Sequence, residues 1–272
     1  MSDRVTISID ASGVADVRLN RPDKRNALDG AMFAGLRDAG EQMKSEPGVR
    51  AVVLSGEGES FCAGLDFSSM QSLASGDGAG ASRDGNPGAP TPGGITHLGQ
   101  QVAWVWQELP VPVIAAVHGH ALGGGIQLAL GADIRIVHPD AQLSVREVHW
   151  GLVPDMTGTL FLSRLVGPDV AKELTFTARI VSGREAKELG LATRLSDTPR
   201  EDAMALAAEI AGRSPDAVRG AKALFNRLAN AGAAEQFAEE RRVIGALIGT
   251  PNQVESVMAN FEKRAPSFTD PT

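Results

Sequence analysis

Apolar and polar residues alternate through "RVTISID" and "VADVRLN" on either side of "ASG", which predicts a hairpin with one buried face. The period then changes. In "RPDKRNALDGAMFAGLRDAGEQMKSEPG" the apolar residues fall at helical spacing behind Asp29, a candidate N-cap, and stop at Pro47 and Gly48. "VRAVVLSGEG" is a continuous apolar run closed by a turn and predicts a buried strand. "ITHLGQQVAWVWQEL" returns to helical spacing until Pro110 and Pro112 break it, and "VIAAV" is a second short buried strand. Further strands are expected at "DIRIV" and "AQLSV", the latter followed by the irregular "REVHWGLVPDMTG". From about Thr157 the pattern is mostly helical, each segment capped or broken by Ser, Gly or Pro. Residues 74–94, "ASGDGAGASRDGNPGAPTPGG", carry almost no apolar side chain and are expected to form a mobile surface loop.

Composition narrows the function classes. The 272 residues are 43% hydrophobic, enough to bury a large core. The formal net charge is −7 and no basic stripe appears, which argues against nucleic acid as a partner. One cysteine, Cys62, excludes an internal disulfide framework. The N-terminus lacks an apolar signal core and no apolar run reaches the length of a membrane span, so a cytoplasmic protein without membrane contact is expected.

Two glycine-bearing stretches carry the candidate chemistry. Gly123, Gly124 and Gly125 stand between the strand "VIAAV" and the helix "GIQLALGA", where their bare N–H groups meet the positive end of a helix dipole. The lysine of a Walker loop is missing, because Ile126 and Gln127 follow, and the spacing is wrong for a dinucleotide fingerprint. An oxyanion hole is the remaining use. "GEGESFCAGLD" is the second stretch, with small residues that let backbone approach a ligand.

In order along the chain, "RPDKRNALD", "SGEGESFCAGLD", "PVIAAVHGHALGGGIQLALGADIRI" and "EVHWGLVPDMTGTLFLSRLVG" resemble the crotonase family of enoyl-CoA hydratases and isomerases. The resemblance implies an α/β fold: a crotonase-type spiral of ββα units with two sheets over residues 1–200, and a helical C-terminal region over 201–272 that builds a homotrimer or a dimer of trimers and covers coenzyme A. It places the oxyanion hole on the N–H groups of Leu65 and Gly124. It also places Arg25 near the CoA phosphates, the backbone of Ala27 and Ala63 at the adenine, and Asp66 at the turn beside it. Trp150 falls at the pocket wall, and Phe261 and Lys263 on the terminal helix that reaches CoA. No cofactor is expected, coenzyme A being part of the substrate, and no metal.

The acids set the reaction apart. Hydratases of the family carry one glutamate two residues beyond the glycine triplet, and here that place holds Gln127, which binds a water or a substrate group but takes no proton. Glu147 matches the second hydratase glutamate, and Asp155 stands where the dienoyl-CoA isomerase branch keeps an acid. Glu147 beside an acyl chain is expected to have a raised pKa. On the residues alone, Glu147 could instead pair with Arg146, and Asp155 could cap the helix at "MTGTL". Isomerisation of an unsaturated acyl-CoA is preferred to hydration. The alternatives are a silent acyl-CoA binder or another crotonase reaction, thioester hydrolysis or decarboxylation. His118, His120, His138 and His149 lack metal spacing, the first two being expected in the turn before the triplet, and Cys62 reads as a buried inert thiol.

Overall fold

The computed structural model describes residues 4–66, 89, 91–92, 96–150, 152–228, 251–252, 255, 259 and 262–270. The expected 74–94 loop lies outside them apart from Ala89, Thr91 and Pro92, as do Phe261 and residues 229–250 of the C-terminal region.

The chain opens with the predicted hairpin, β1 (Val5–Ile9) paired antiparallel with β2 (Val14–Leu19). Helix α1 (Gly30–Ser45) follows, and Asp29 caps it by accepting the Met32 N–H at 2.8 Å. Strand β3 (Ala51–Gly56), helix α2 (Leu98–Glu108) and strand β4 (Val113–Val117) come next. Strand β5 (His120–Leu122), helix α3 (Gly124–Leu130), β6 (Ile134–Val137) and β7 (Gln142–Ser144) complete the central part. Then come α4 (Gly158–Val166), α5 (Pro168–Thr177), β8 (Val181–Ser182), α6 (Gly183–Leu189), β9 (Arg194–Leu195), α7 (Pro199–Ala211) and α8 (Pro215–Leu228).

The strands form two sheets. One runs β1-β2-β3-β4-β6-β9 and is parallel from β2 onward; the other is β5-β7-β8. Strands β3 and β4 are buried along their whole length because both faces of the larger sheet are covered, which explains their unbroken apolar runs. Leu36, Met43, Val52, Leu54, Val105 and Trp106 belong to the main core on one face. On the other, Ala203, Ala207 and Ala211 recur at one helical turn along α7 and pack on Val14, Val53, Ile114 and Ile136. Helix α7, at the head of the expected 201–272 region, is thus a wall of the large sheet.

The strand β5 was not expected: His118 and Gly119 do make the turn after β4, but His120 already pairs with Gln142 of β7. Three residues cannot show a period of two, so this strand has no signature of its own. Among the described residues no helix is long and apolar enough to cross a membrane.

Candidate active site

Short parallel pairings bring three chain segments side by side. Cys62 bridges Ala121 of β5, and β5 pairs with β7 through Ala121↔Leu143 and Leu122↔Ser144. The residues just past these pairings, "AGL" to Leu65, the glycine triplet, and "VRE" to Glu147, therefore emerge at one end of the assembly. Carboxyl ends of parallel strands are where ligands meet backbone donors in α/β folds.

Leu65 forms a bridge with Leu28 in which the groups used are Leu28 N–H to Gly64 O and Asp66 N–H to Leu28 O. The Leu65 N–H therefore points away from Leu28. Gly124 is the first residue of α3, so its N–H has no partner one turn back. Neither N–H has a hydrogen-bond partner among the described residues. They lie close together: a Cβ on Gly64 would stand 3.7 Å from the Gly124 nitrogen. Two free N–H groups this close together at a helix start can stabilise an anion.

Each glycine of the triplet is required for a different reason. Gly123 has φ +54, a left-handed conformation that L side chains disfavour, and a Cβ there would stand 3.5 Å from Glu147 Oε1. At Gly124 a Cβ would press on Leu28 Cδ1 at 2.8 Å and Met156 Sδ at 2.9 Å. At Gly125 it would strike the Cys62 carbonyl oxygen at 2.2 Å. The bare backbone thus lets α3 begin directly against the Cys62 segment and leaves the Gly124 N–H open.

Glu147 begins a short 3-10 turn, Glu147–Trp150, and is only 8% exposed. Its Oε1 accepts the Gln127 Nε2–H at 2.5 Å, while its Oε2 is buried without a partner. Burial pushes its pKa up; the Gln127 amide and its own backbone N–H oppose the shift, and the charge of Asp155 adds to it. Arg146 does not pair with Glu147, since its Nη1 donates to the Ala178 carbonyl. Asp155 is exposed in the turn before α4. It does not cap that helix either: the cap position is Thr157, at φ +69 with no side-chain cap bond. Gln127 is fully buried on α3, and its Oε1 accepts the N–H groups of Met156 (2.9 Å) and Gly158 (3.0 Å). It stands behind Glu147 and presents no free acceptor to a ligand.

The candidate CoA residues fall on one loop pair. Arg25 is exposed in a left-handed conformation and its carbonyl accepts the Ala63 N–H at 2.9 Å. Ala27 is buried, and its carbonyl accepts from Arg21 Nη1 at 3.1 Å. Arg21 also pairs with Asp66 at 2.6 Å and Asp29 at 3.5 Å. Nothing in the sequence motifs singles out Arg21. It is the cation that ties the "KRNAL" loop to the "AGLD" turn, and the only hint was its place between a strand end and two acids it could not be known to face. Lys263 is exposed at φ +53, Phe261 lies outside the described residues, and the same holds for the side chain of Trp150.

His120 Nδ1 lies 2.9 Å from Ser60 Oγ, and His118 Nε2 lies 2.9 Å from the Gly58 carbonyl. Cys62 is fully buried, its thiol bonds the Asn26 carbonyl, and burial pushes its pKa up to about 12, which suits an inert thiol. A cleft of about 510 Å³ lies elsewhere, lined by Gln107, Arg164, Lys222 and Phe225 among others, and none of the candidate site residues borders it.

The chain matches known proteins over nearly its full length. The family described as Enoyl-CoA hydratase/isomerase matches residues 10–271. The enoyl-CoA hydratase domain-containing protein 2, mitochondrial, of Mus musculus is 34% identical over 266 residues, 94% of this chain and 84% of that protein. The crotonyl-CoA hydratase of Syntrophomonas wolfei is 33% identical over 259 residues, 94% of each. A crystal structure of enoyl-CoA hydratase from Bacillus anthracis superposes with a TM-score of 0.85 at 30% identity, covering 97% of this chain and 98% of that one. Matched from its first hairpin to its C-terminal segment in both sequence and fold, the chain belongs to the enoyl-CoA hydratase/isomerase family, the crotonase family of acyl-CoA enzymes.

Proposed function

We propose that the protein moves a double bond within an unsaturated acyl-CoA, with a thioester enolate as the intermediate. The observations that carry this reading are the free N–H groups on Leu65 and Gly124 and the buried, unpartnered Oε2 of Glu147, whose Oε1 lies against Gly123 of the same triplet. The thioester carbonyl oxygen sits between the two N–H donors. Glu147 Oε2 removes a proton from a saturated carbon next to the thioester carbonyl or at the end of the conjugated system; the C–H electron pair forms a new double bond and the carbonyl pair moves onto oxygen as the enolate forms. Two backbone donors fixed in place stabilise that charge by a few kcal/mol each. The enolate collapses as a proton returns at another carbon, so the diene or alkene is shifted and nothing is gained or lost. Asp155, at the solvent edge, exchanges protons with the site.

Coenzyme A lies along the Arg25 to Asp66 loop pair, with Arg25 as the cation for its phosphates and the backbone of Ala27 and Ala63 at the adenine. Phe261 and Lys263 approach from the C-terminal segment of this or a neighbouring subunit in a trimer or a pair of trimers, in the cytoplasm. Water addition is the second reading, favoured by the hydratase names of the relatives. Gln127 weighs against it, because an amide at that place cannot handle a water proton. A panel of enoyl-CoA and dienoyl-CoA thioesters, followed by absorbance and mass, tests the choice. A shifted double bond at constant mass is expected; a gain of 18 Da, the mass of one water, would replace isomerisation with hydration.

A further inference from the structure

We propose that Gln127 is a positioning residue: it locks one oxygen of Glu147 and thereby makes the other, Oε2, the single oxygen that meets substrate. This rests on the proton-transfer reading above. The amide of Gln127 is itself locked. Its oxygen accepts two backbone N–H groups, from Met156 and Gly158, in a fully buried position, so its nitrogen faces Glu147 and cannot be flipped without leaving both N–H groups unpaired. The amide also packs tightly on Gly158, where a Cβ would stand 2.5 Å from that oxygen.

A carboxylate with two free oxygens can rotate and present either. Here Oε1 is bound at 2.5 Å and lies against Gly123, and only Oε2 is unpartnered. Gln127 thus holds Glu147 to one geometry against Gly123, and its amide favours the ionised form that burial disfavours. The Gln127 amide is the side-chain hydrogen bond to this carboxyl, and among the described residues the charged groups around it are few. Asp155 acts on it from the turn before α4, Arg146 bonds the Ala178 carbonyl, and His149 is exposed on the same 3-10 turn. On α5, packed against that turn, Asp169, Lys172 and Glu173 are exposed, and Glu173 pairs with Arg179.

Gln127→Glu separates positioning from mere filling. A glutamate keeps the acceptor for the Met156 and Gly158 N–H groups but faces Glu147 with a second carboxylate, so the pair must share a proton. Two readouts are taken on the full chain: deuterium incorporation into butyryl-CoA in D2O against pH, and the carboxyl 13C NMR titration of glutamate-labelled protein, with Glu147→Gln as the assignment blank. The expected result is an acid limb and a carboxyl titration displaced upward by about one pH unit or more. A folded variant with both unchanged would overturn the proposal. If the wild type exchanges no deuterium yet the NMR titration moves as expected, the proton-transfer reading fails, and with it the part of the proposal that presents Oε2 to substrate, while the Gln127 lock on Glu147 stands. Should Gln127→Glu not fold, the double variant Gln127→Glu/Glu147→Gln retains one amide facing one carboxylate. Its exchange should fall by about 100-fold or more, because the carboxylate then lies behind position 147; wild-type exchange there would count against the proposal.

Discussion

At the scale of single residues, Glu147 shows what burying a carboxyl costs the fold. Its carboxyl titrates above the ordinary value because burial disfavours the charge. A carboxyl whose folded pKa is raised binds its proton more tightly in the folded protein, so it destabilises the fold once pH rises above the unfolded value and through the folded one. Glu147→Gln removes that charge while keeping an acceptor for Gln127. The melting temperature should rise by about 2 °C or more at pH 8 and show no gain at pH 4, where the wild-type carboxyl is already neutral. Proton transfer should drop by about 10²–10⁴-fold. Equal melting temperatures at both pH values would mean that Glu147 is not strained by burial.

At the scale of elements, the start of α3 against the Cys62 segment sets the site, and the three glycines should fail differently. Gly125→Ala drives a Cβ to 2.2 Å from backbone that cannot move aside, and should cost about 3 kcal/mol or more of stability in chemical denaturation. Gly124→Ala meets only the ends of Leu28 and Met156. It should fold and lose about 10²–10³ in kcat as the hole closes. If both variants fold and turn over alike, backbone approach is not what the triplet serves. The glycines themselves were legible, because three in a row at a helix start have few uses. What they pack on was not. Strand β5, three residues long, carries the Cys62 bridge on one side and β7 on the other, and no period identifies it. Gln127 shows the same limit: as a residue type it signals water or substrate contact, and only its full burial, with partners at 147, 156 and 158, reveals a scaffold role. The hairpin, the Asp29 cap and the buried strands were readable because each depends on neighbours in sequence.

At the scale of the whole molecule, helix α8 closes a gap that the middle of the sequence leaves open. Helix α2 ends just before Leu109-Pro110, and Pro110 has no N–H to give the Trp106 carbonyl one turn back. Lys222 Nζ supplies that bond at 2.9 Å and also reaches the Val111 carbonyl at 2.9 Å and Asp133 at 2.8 Å. Asn226, one turn further along α8, bonds the Gln107 carbonyl at 2.9 Å. Asp133 in turn accepts the Val113 N–H at 2.7 Å, at the start of β4. The pair on α8 therefore caps α2 and fixes the corner from which β4 runs toward the site, over a separation of more than 100 residues. Lys222→Met should remove about 3 kcal/mol or more, because it strands two buried carbonyls and unpairs Asp133 at once. Asn226→Ala should remove about 1 kcal/mol. The two together should depart from additivity, since both hold one helix end. The acid limb of deuterium exchange should stay in place in each variant that remains folded, because Glu147 touches neither residue. A displaced limb would mean that the corner between α2 and β4 bears on Glu147, and that α8 governs chemistry as well as stability.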